Sequence, residues 1–364
     1  MKILYVVTIL GIGGAEIITV DIANQMAQRG HDVAILHLRK KNKQRKRIDP
    51  SITVLSLNMQ KSFSSFFHSL LQAKAFIKEW KPDIIHAQMF HANIFCRTLR
   101  CITPIPKLIC TEHSNNIEGK HRMLIYRITD FLSNINTNVS NNATQQFIKD
   151  KAFSKKKTLT IYNGINLKRF ISNSTSKQMI REEYKINESD FLFINAARLT
   201  KAKDHGNLID AFSILKKKHK NVKLLIVGEG DLYSKLKSKI EQKKLIDSII
   251  LAGRHANIED FYNASDCFVL SSAWEGFGIV LAEAMACELP VITTDAGGCA
   301  EVVDDNIFIV PPRNSTALAE KMEQIYLMSS EARIKLGKRN REKSKVFDLQ
   351  TICNQWETIY QKNE

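Results

Sequence analysis

Short apolar runs alternate with amphipathic stretches along almost the whole chain, and this alternation limits the fold more than any other feature. Runs near 2–8, 32–38, 83–87, 106–110, 135–139 and 158–162 read as strands, with helical patterns near 14–29, 62–80, 90–101, 121–132 and 141–150 between them. The order then repeats. Strands fall near 190–197, 222–227, 248–252, 266–270, 290–293 and 307–310, and helices near 204–218, 231–243, 277–287 and 315–327. Strand followed by helix, unit after unit, builds parallel sheets covered on both faces. A chain of 364 residues is long enough for two. The expectation is an α/β protein of two Rossmann-like, doubly wound domains facing across a cleft, at 1–170 and 171–345. The polar stretch Ile171–Lys177 is the expected linker, and a helical tail at 346–364 is expected to return to the first domain.

Charge divides along the same line. Residues 1–170 carry 26 Lys and Arg against 10 Asp and Glu, whereas residues 171–364 carry 27 against 27, so the net +16 belongs to the first half. Its densest patch is Arg39–Arg47. Such a half suits a negative partner such as an anionic membrane or a lipid diphosphate; a solvated basic loop is the other reading. No aromatic-basic RNA motif accompanies the charge, so nucleic acid is not expected. No run of about 18 apolar residues predicts a membrane-crossing helix. The first residues, Met1–Leu10, read as a strand rather than a signal peptide, because a glycine turn and an amphipathic helix follow. Seven cysteines without metal spacing read as reduced thiols.

Doubly wound sheets bind ligands outside the carboxyl ends of their strands, so motifs are sought there. The most informative is Ser271–Ala286, where a strand runs through Gly276-Phe277-Gly278 into a helix. The bare N–H groups of such a helix start attract anions. Glu275 precedes that end, and Glu283 lies about 9 Å inside it at ~1.5 Å per residue, its side chain leaning back toward the start. A diphosphate flanked by a sugar and a ribose fits that arrangement. Arg198 ends another strand and Lys203 follows it just before Asp204, a predicted N-cap; two cations in one loop would neutralise a leaving diphosphate.

In the first half, Gly11-Ile12-Gly13-Gly14-Ala15-Glu16 opens a helix after the first strand, with glycines that let a phosphate or sugar approach the backbone. Glu16 breaks the dinucleotide fingerprint and His37-Leu38-Arg39 lacks the ribose-binding acid, so NAD is disfavoured. His113 follows a strand in Cys110–Ser114, and His86 and His91 flank another strand end; each reads as a cleft residue or as a satisfied structural histidine. No cluster of side chains makes a convincing metal site. The helical stretch Ser62–Leu71 reads as core packing, with a membrane-lying face as the alternative.

Taken together, the segments GIGGAE (11–16), DIIHAQ (83–88), TEHS (111–114), IYNGIN (161–166), ARLTKAK (197–203), VGEGD (227–231), SSAWEGFGIVLAEAMA (271–286) and PVITTDAGGCAEVV (290–303) resemble the retaining GT-B glycosyltransferases of family four, a group that includes many bacterial lipopolysaccharide and capsule transferases. Glu275 to Glu283 matches the family's E-x7-E signature. The resemblance implies that Arg198 and Lys203 grip the donor diphosphate and that Glu283 binds the ribose. Glu275 and the backbone of Phe277, Gly278 and Ile279 would hold the transferred sugar and phosphate, Gly13 and Gly14 would approach the diphosphate, and His113 would lie beside the reacting sugar. Three departures stand out: Gln88 where relatives often carry a second histidine, Asp204 after the lysine where glycine is common, and Glu288 where glycine is usual.

The expected function is retaining transfer from a nucleotide sugar, UDP favoured over GDP, to a lipid-linked or cell-surface polysaccharide acceptor such as an O-antigen or capsule precursor. Catalysis would need no metal or other cofactor, and the enzyme would be cytoplasmic, peripheral on the inner face of the plasma membrane. A nucleotide-sugar epimerase or hydrolase on the same fold, and a non-enzymatic polyanion binder, are the competing readings.

Overall fold

The computed structural model describes all residues except 12, 41, 116–118, 305, 363 and 364, and only the backbone of Lys120 and Asn306. It divides into two compact units: Met1–Gly164 with Leu349–Glu364, and Ile165–Asp348. The divisions fall at 164 and 348 rather than at the expected 170 and 345.

The first unit runs β1 (Lys2–Val7), α1 (Gly14–Gln28), β2 (Asp32–His37), β3 (Thr53–Ser56), α2 (Phe63–Trp80), β4 (Ile84–Gln88), α3 (Met89–Arg100), β5 (Lys107–Glu112), α4 (Lys120–Thr129), β6 (Ile135–Asn138), α5 (Asn141–Lys149) and β7 (Thr158–Thr160). Its parallel sheet has the order β3-β2-β1-β4-β5-β6-β7. Helices cover both faces, so strands such as Ile3–Val7 and Ile84–Gln88 are buried at every position, which is why they read as unbroken apolar runs. The winding reverses between β1 and β4, the position at which doubly wound sheets take their ligands.

The second unit runs α6 (Ser174–Glu183), β8 (Phe191–Ala196), α7 (His205–Lys218), β9 (Val222–Val227), α8 (Tyr233–Gln242), β10 (Ile249–Gly253), α9 (Ile258–Ala264), β11 (Cys267–Leu270), α10 (Ile279–Ala286), β12 (Val291–Thr294), α11 (Cys299–Val303), β13 (Ile309–Val310), α12 (Ser315–Leu327) and α13 (Ser330–Ser344). The sheet is again parallel, in the order β10-β9-β8-β11-β12-β13, with its reversal between β8 and β11. One core of Phe193, Phe212, Leu224, Met322 and their neighbours fills the space between this sheet and its helices.

The chain then returns to the first unit as α14 (Leu349–Gln361). Ile352, Cys353, Trp356, Ile359 and Tyr360 are buried. Arg29 meets Glu357 at 2.5 Å, His31 meets it at 2.9 Å, and Lys107 Nζ donates to the carbonyls of Ile359 and Lys362 at 2.5 and 2.6 Å. The expected returning helix is therefore present and firmly anchored.

Three expectations need correction. The expected linker at 171–177 is helical from Ser174 on, the start of α6, because the Asn173 side chain caps it by accepting from the N–H groups of Thr175 and Ser176. The edge strand β3 and the short helices α9 and α11 lie in stretches read as loops. Ser62–Leu71 is only half core: Leu70 is buried, but Phe63, Phe67 and Leu71 stand 78%, 51% and 60% exposed along one stripe.

The Trp356 ring packs on the His86 ring inside the first unit, with centroids 4.4 Å apart and planes tilted by 51°. Trp356→Ala should lower folding stability by roughly 3 kcal/mol, the cost of deleting a large buried aromatic. A reduced urea midpoint would register it, and an unchanged midpoint would show that α14 contributes no packing energy.

Candidate functional site

The reversal in the second unit brings two loops together at the carboxyl ends of β8 and β11. Arg198 lies just beyond β8. The backbone there is fixed by Ala197 N–H to Val227 O and Leu199 N–H to Glu229 O, both at 3.0 Å. Gly228 and Gly230 make that pairing possible: a Cβ on Gly228 would overlap the Ala197 carbonyl oxygen, and one on Gly230 would sit 2.5 Å from that of Leu199. The Arg198 side chain is exposed, with no hydrogen bond or ion pair among the described residues. It is available to an incoming anion.

After a single turn at Lys201–Lys203, Asp204 adopts a left-handed conformation (φ 42°) and caps α7 by accepting from Asn207 N–H at 3.2 Å. The second loop is tied to the first. Ala273 N–H donates to Ala202 O at 2.7 Å, and Ser271 Oγ donates to the carbonyls of Lys203 and Asp204 at 3.0 and 3.2 Å. Lys203 Nζ forms an ion pair with Glu275 Oε2, and Ser272 Oγ donates to the same oxygen at 3.3 Å. Ser271 and Ser272 are fully buried, so the two serines ahead of the carboxylate brace the loop.

Gly278 turns the chain into α10 with φ 81°, a value that favours glycine, and a Cβ there would also press on Leu281 and Cys299 at 3.1 and 3.2 Å. α10 begins at Ile279, later than the sequence pattern suggested. Glu283 is thus only four residues in, about 6 Å along the axis. It accepts from the Tyr262 hydroxyl at 2.9 Å, which holds the carboxylate at the helix edge. Phe277 and Gly278 are buried and Ile279 half-buried. One end of this sheet therefore gathers Arg198, Lys203, Glu275, the start of α10 and Glu283: two cations, a helix N-terminus with no side-chain cap among the described residues, and two carboxylates.

The first unit places its own residues at the carboxyl ends of β1, β4 and β5. Gly13 is the extended residue ahead of α1, and Gly14 opens the helix into clear space. Ile12, between Gly11 and Gly13, lies outside the described residues. The Glu16 carboxylate folds back against Gly13, where a Cβ would overlap it. Part of the glycine requirement thus comes from an internal carboxylate at the helix start. His113 follows β5. Its Nε2 lies 2.7 Å from Gln88 Oε1, and burial pushes the ring's pKa down to about 4. His86 is fully buried, bonded to Tyr360 and Thr111, and is a structural histidine. His91 is exposed.

Beneath His113 lies a polar core that sequence reasoning missed. Arg97 is wholly buried and donates to Tyr126 O, Thr129 Oγ1 and Asn136 Oδ1 at 3.1, 2.9 and 2.8 Å. The Tyr126 hydroxyl donates to Glu112, whose carboxyl is pushed up to about 7 by burial. The only sequence-level signal was polar residues at the ends of otherwise apolar strands.

A family model described as glycosyl transferases group 1 matches residues 176–343, and one described as glycosyltransferase family 4 matches residues 12–169. The first falls within the second unit and the second spans most of the first. The chain is a GT-B glycosyltransferase. The enzyme is 26% identical over 380 residues to the N-acetyl-alpha-D-glucosaminyl L-malate synthase of Bacillus anthracis, covering 96% of this chain and 94% of the relative. It is 26% identical over 354 residues to the capsular polysaccharide biosynthesis glycosyltransferase CapM of Staphylococcus aureus, covering 89% and 91%. Among solved structures it superposes on Anabaena HepE in complex with UDP-glucose with a TM-score of 0.85, 22% identity and 99% coverage of both chains.

Glu112 gives the transferase a pH signature. Its folded-state pKa lies above the ordinary 4.5, so the folded protein holds this proton more tightly than the unfolded chain does. Its contribution is full below about pH 4.5 and is lost as pH rises to about 7. Glu112→Gln should remove roughly 3 kcal/mol of pH dependence across that window. Urea titrations of both proteins at pH 5 and 8 would measure the difference, and parallel changes would refute it.

Proposed function

We propose that this glycosyltransferase moves a sugar with retention from a nucleotide donor, UDP-linked before GDP-linked, to a lipid-linked or surface-polysaccharide acceptor. The observation that carries the donor reading is the convergence of Arg198, Lys203 and the start of α10 at one sheet end. Diphosphate departure needs positive charge, and two cations with a helix N-terminus supply it without a metal. Glu283 would take the ribose, and Glu275 with the backbone of Phe277–Ile279 the sugar and phosphate. In the first unit, Gly13 and Gly14 would serve the diphosphate and His113 the sugar. The anomeric carbon–phosphate oxygen bond breaks, the acceptor oxygen bonds to that carbon on the same face, and the acceptor proton passes to the leaving phosphate oxygen. Trapping a glycosyl adduct on the enzyme would overturn this front-face route.

In the resting protein Lys203 is held by Glu275, so donor binding exchanges one carboxylate partner for the diphosphate at a cation already in place. Arg198→Ala and Lys203→Ala should each slow transfer by about 10²–10³-fold. UDP at 100 times its Kd should stabilise the native enzyme by about 2.7 kcal/mol without added metal, a shift the variants largely lose. If UDP, GDP and ADP all leave thermal stability unchanged, the donor site is wrongly assigned.

An anionic membrane is the proposed docking surface. The first unit carries the basic excess, and its helices show apolar stripes to solvent: Phe63, Phe67 and Leu71 on α2, and Leu124, Ile128 and Phe131 along α4 and the turn after it. Both helices pack on α3. Basic side chains near an anionic surface contribute up to about 1 kcal/mol each. Replacing the basic residues of 39–47 by Gln, or Phe63 and Phe67 by Ser, should weaken sedimentation with vesicles rich in anionic phospholipid. Equal binding by all three proteins would sink the membrane reading. A small hydroxy-acid acceptor is the second reading, favoured by the likeness to the malate-linked synthase, and transfer to L-malate would establish it.

A further inference from the structure

Gln88 is the last residue of β4, pairs in register with Thr111 of β5, and is 2% exposed. The chain breaks sharply after it, for Met89 takes a left-handed φ of 70°, a conformation that a long side chain rarely adopts. The Gln88 amide spans two histidines, with its Oε1 2.7 Å from His113 Nε2 and its Nε2 3.0 Å from His86 Nε2. An amide oxygen only accepts and an amide nitrogen only donates. His113 Nε2 must then carry the proton, and His86 Nε2 must be bare. His86 in turn carries its proton on Nδ1 and donates to the Tyr360 hydroxyl at 2.7 Å, which meets the Tyr5 hydroxyl at 3.0 Å. Thr111 Oγ1, 2.7 Å from His86 Nε2 and 2.6 Å from Thr137 Oγ1, then shares the single lone pair of that nitrogen with the amide and accepts from Thr137. Reversing the amide would reverse this chain and leave His113 with a buried N–H on Nδ1. That atom has no partner among the described residues, and a stranded donor is costly.

We propose that Gln88 is a positioning residue that holds His113 in its Nε2–H tautomer, so that the bare Nδ1 accepts a hydroxyl of the bound sugar. This rests on the reading that His113 serves the transferred sugar, and it narrows that reading. A lone pair on a neutral ring attracts an O–H and repels a phosphate oxygen, so His113 suits the sugar's hydroxyls and not its diphosphate. The returning helix takes part at a distance: Tyr360 fixes His86, His86 fixes the amide, and the amide fixes His113.

The test is nitrogen-15 NMR of the histidine rings in the full-length protein. The wild type should show His113 protonated on Nε2 and His86 on Nδ1. Gln88→Leu should release His113 into a mixture of tautomers. Gln88→Glu, whose carboxylate only accepts, should keep His113 on Nε2 and switch His86 to Nε2. His113 protonated on Nδ1 in the wild type, or the same His113 tautomer in Gln88→Leu, would overturn the proposal. The second readout is affinity for UDP-glucose relative to UDP. Gln88→Leu and His113→Ala should each lower that ratio roughly tenfold, the worth of one hydrogen bond in a dry site. An unmoved ratio in both variants would overturn the hydroxyl contact and with it the placement of His113 at the sugar. Binding of UDP alone would still report separately on Arg198 and Lys203.

Discussion

The donor chemistry proposed for the second unit depends on two loops being bound to one another before any ligand arrives. The loop after β11 hydrogen-bonds to the loop after β8 through Ala273, Ala202 and Ser271, and the loop after β9 presses on the same backbone through Gly228 and Gly230. These contacts are made by the protein's own backbone and buried hydroxyls. They leave Arg198 exposed beside a fixed backbone and Lys203 on the rim of a capped helix. Preorganised cations stabilise developing charge without reorganisation at the moment of reaction, which is where electrostatic catalysis draws its strength.

The first unit separates its charge differently. Its basic side chains lie mostly outside, while its interior suppresses ionisation. Burial pushes His86 and His113 to about 3 and 4 and lifts Glu112 to about 7. Arg97 and Lys107 are exceptions: a cage of carbonyl, hydroxyl and amide oxygens compensates Arg97, with the carboxylate of Asp130 at 3.8 Å, and the carbonyls at the end of α14 compensate Lys107. A buried, hydrogen-bonded floor beneath His113 is suited to reading hydroxyls, and a basic exterior to meeting an anionic surface. The same unit offers both because desolvation acts only inside.

Much of this was legible in the sequence. Alternating apolar runs and amphipathic stretches carried both parallel sheets, since strands buried on two faces must be apolar throughout. Glycines and charged residues at strand ends marked both reversals. The rest was hidden for physical reasons. β3 is four residues on a sheet edge, too short and too half-buried for a period to register. The start of α6 was concealed because the polar residues that cap a helix are those that fill a linker. The contact of Gln88 with His113 is set by register between β4 and β5, and that of His86 with Tyr360 joins residues 274 apart. Neither leaves a local trace.

The two glycine departures of the second unit carry the final point. Asp204 and Glu288 both adopt left-handed backbone, with φ of 42° and 62°. A non-glycine residue there costs roughly 1–2 kcal/mol, least for aspartate and asparagine. Asp204 recovers part of that cost, because its carboxylate caps α7 directly behind Lys203. Among the described residues Glu288 caps no helix, and its carboxylate meets only the Arg341 side chain of α13, at 4.0 Å. The Glu288 carbonyl packs so closely on Gly337 of α13 that a Cβ there would overlap it, so the conformation is imposed by the fit of α13 against the turn after α10. The helix whose N-terminus would face the donor phosphate is thus clamped at its far end at the expense of a strained residue. That arrangement makes sense if rigidity of α10 is what the site requires.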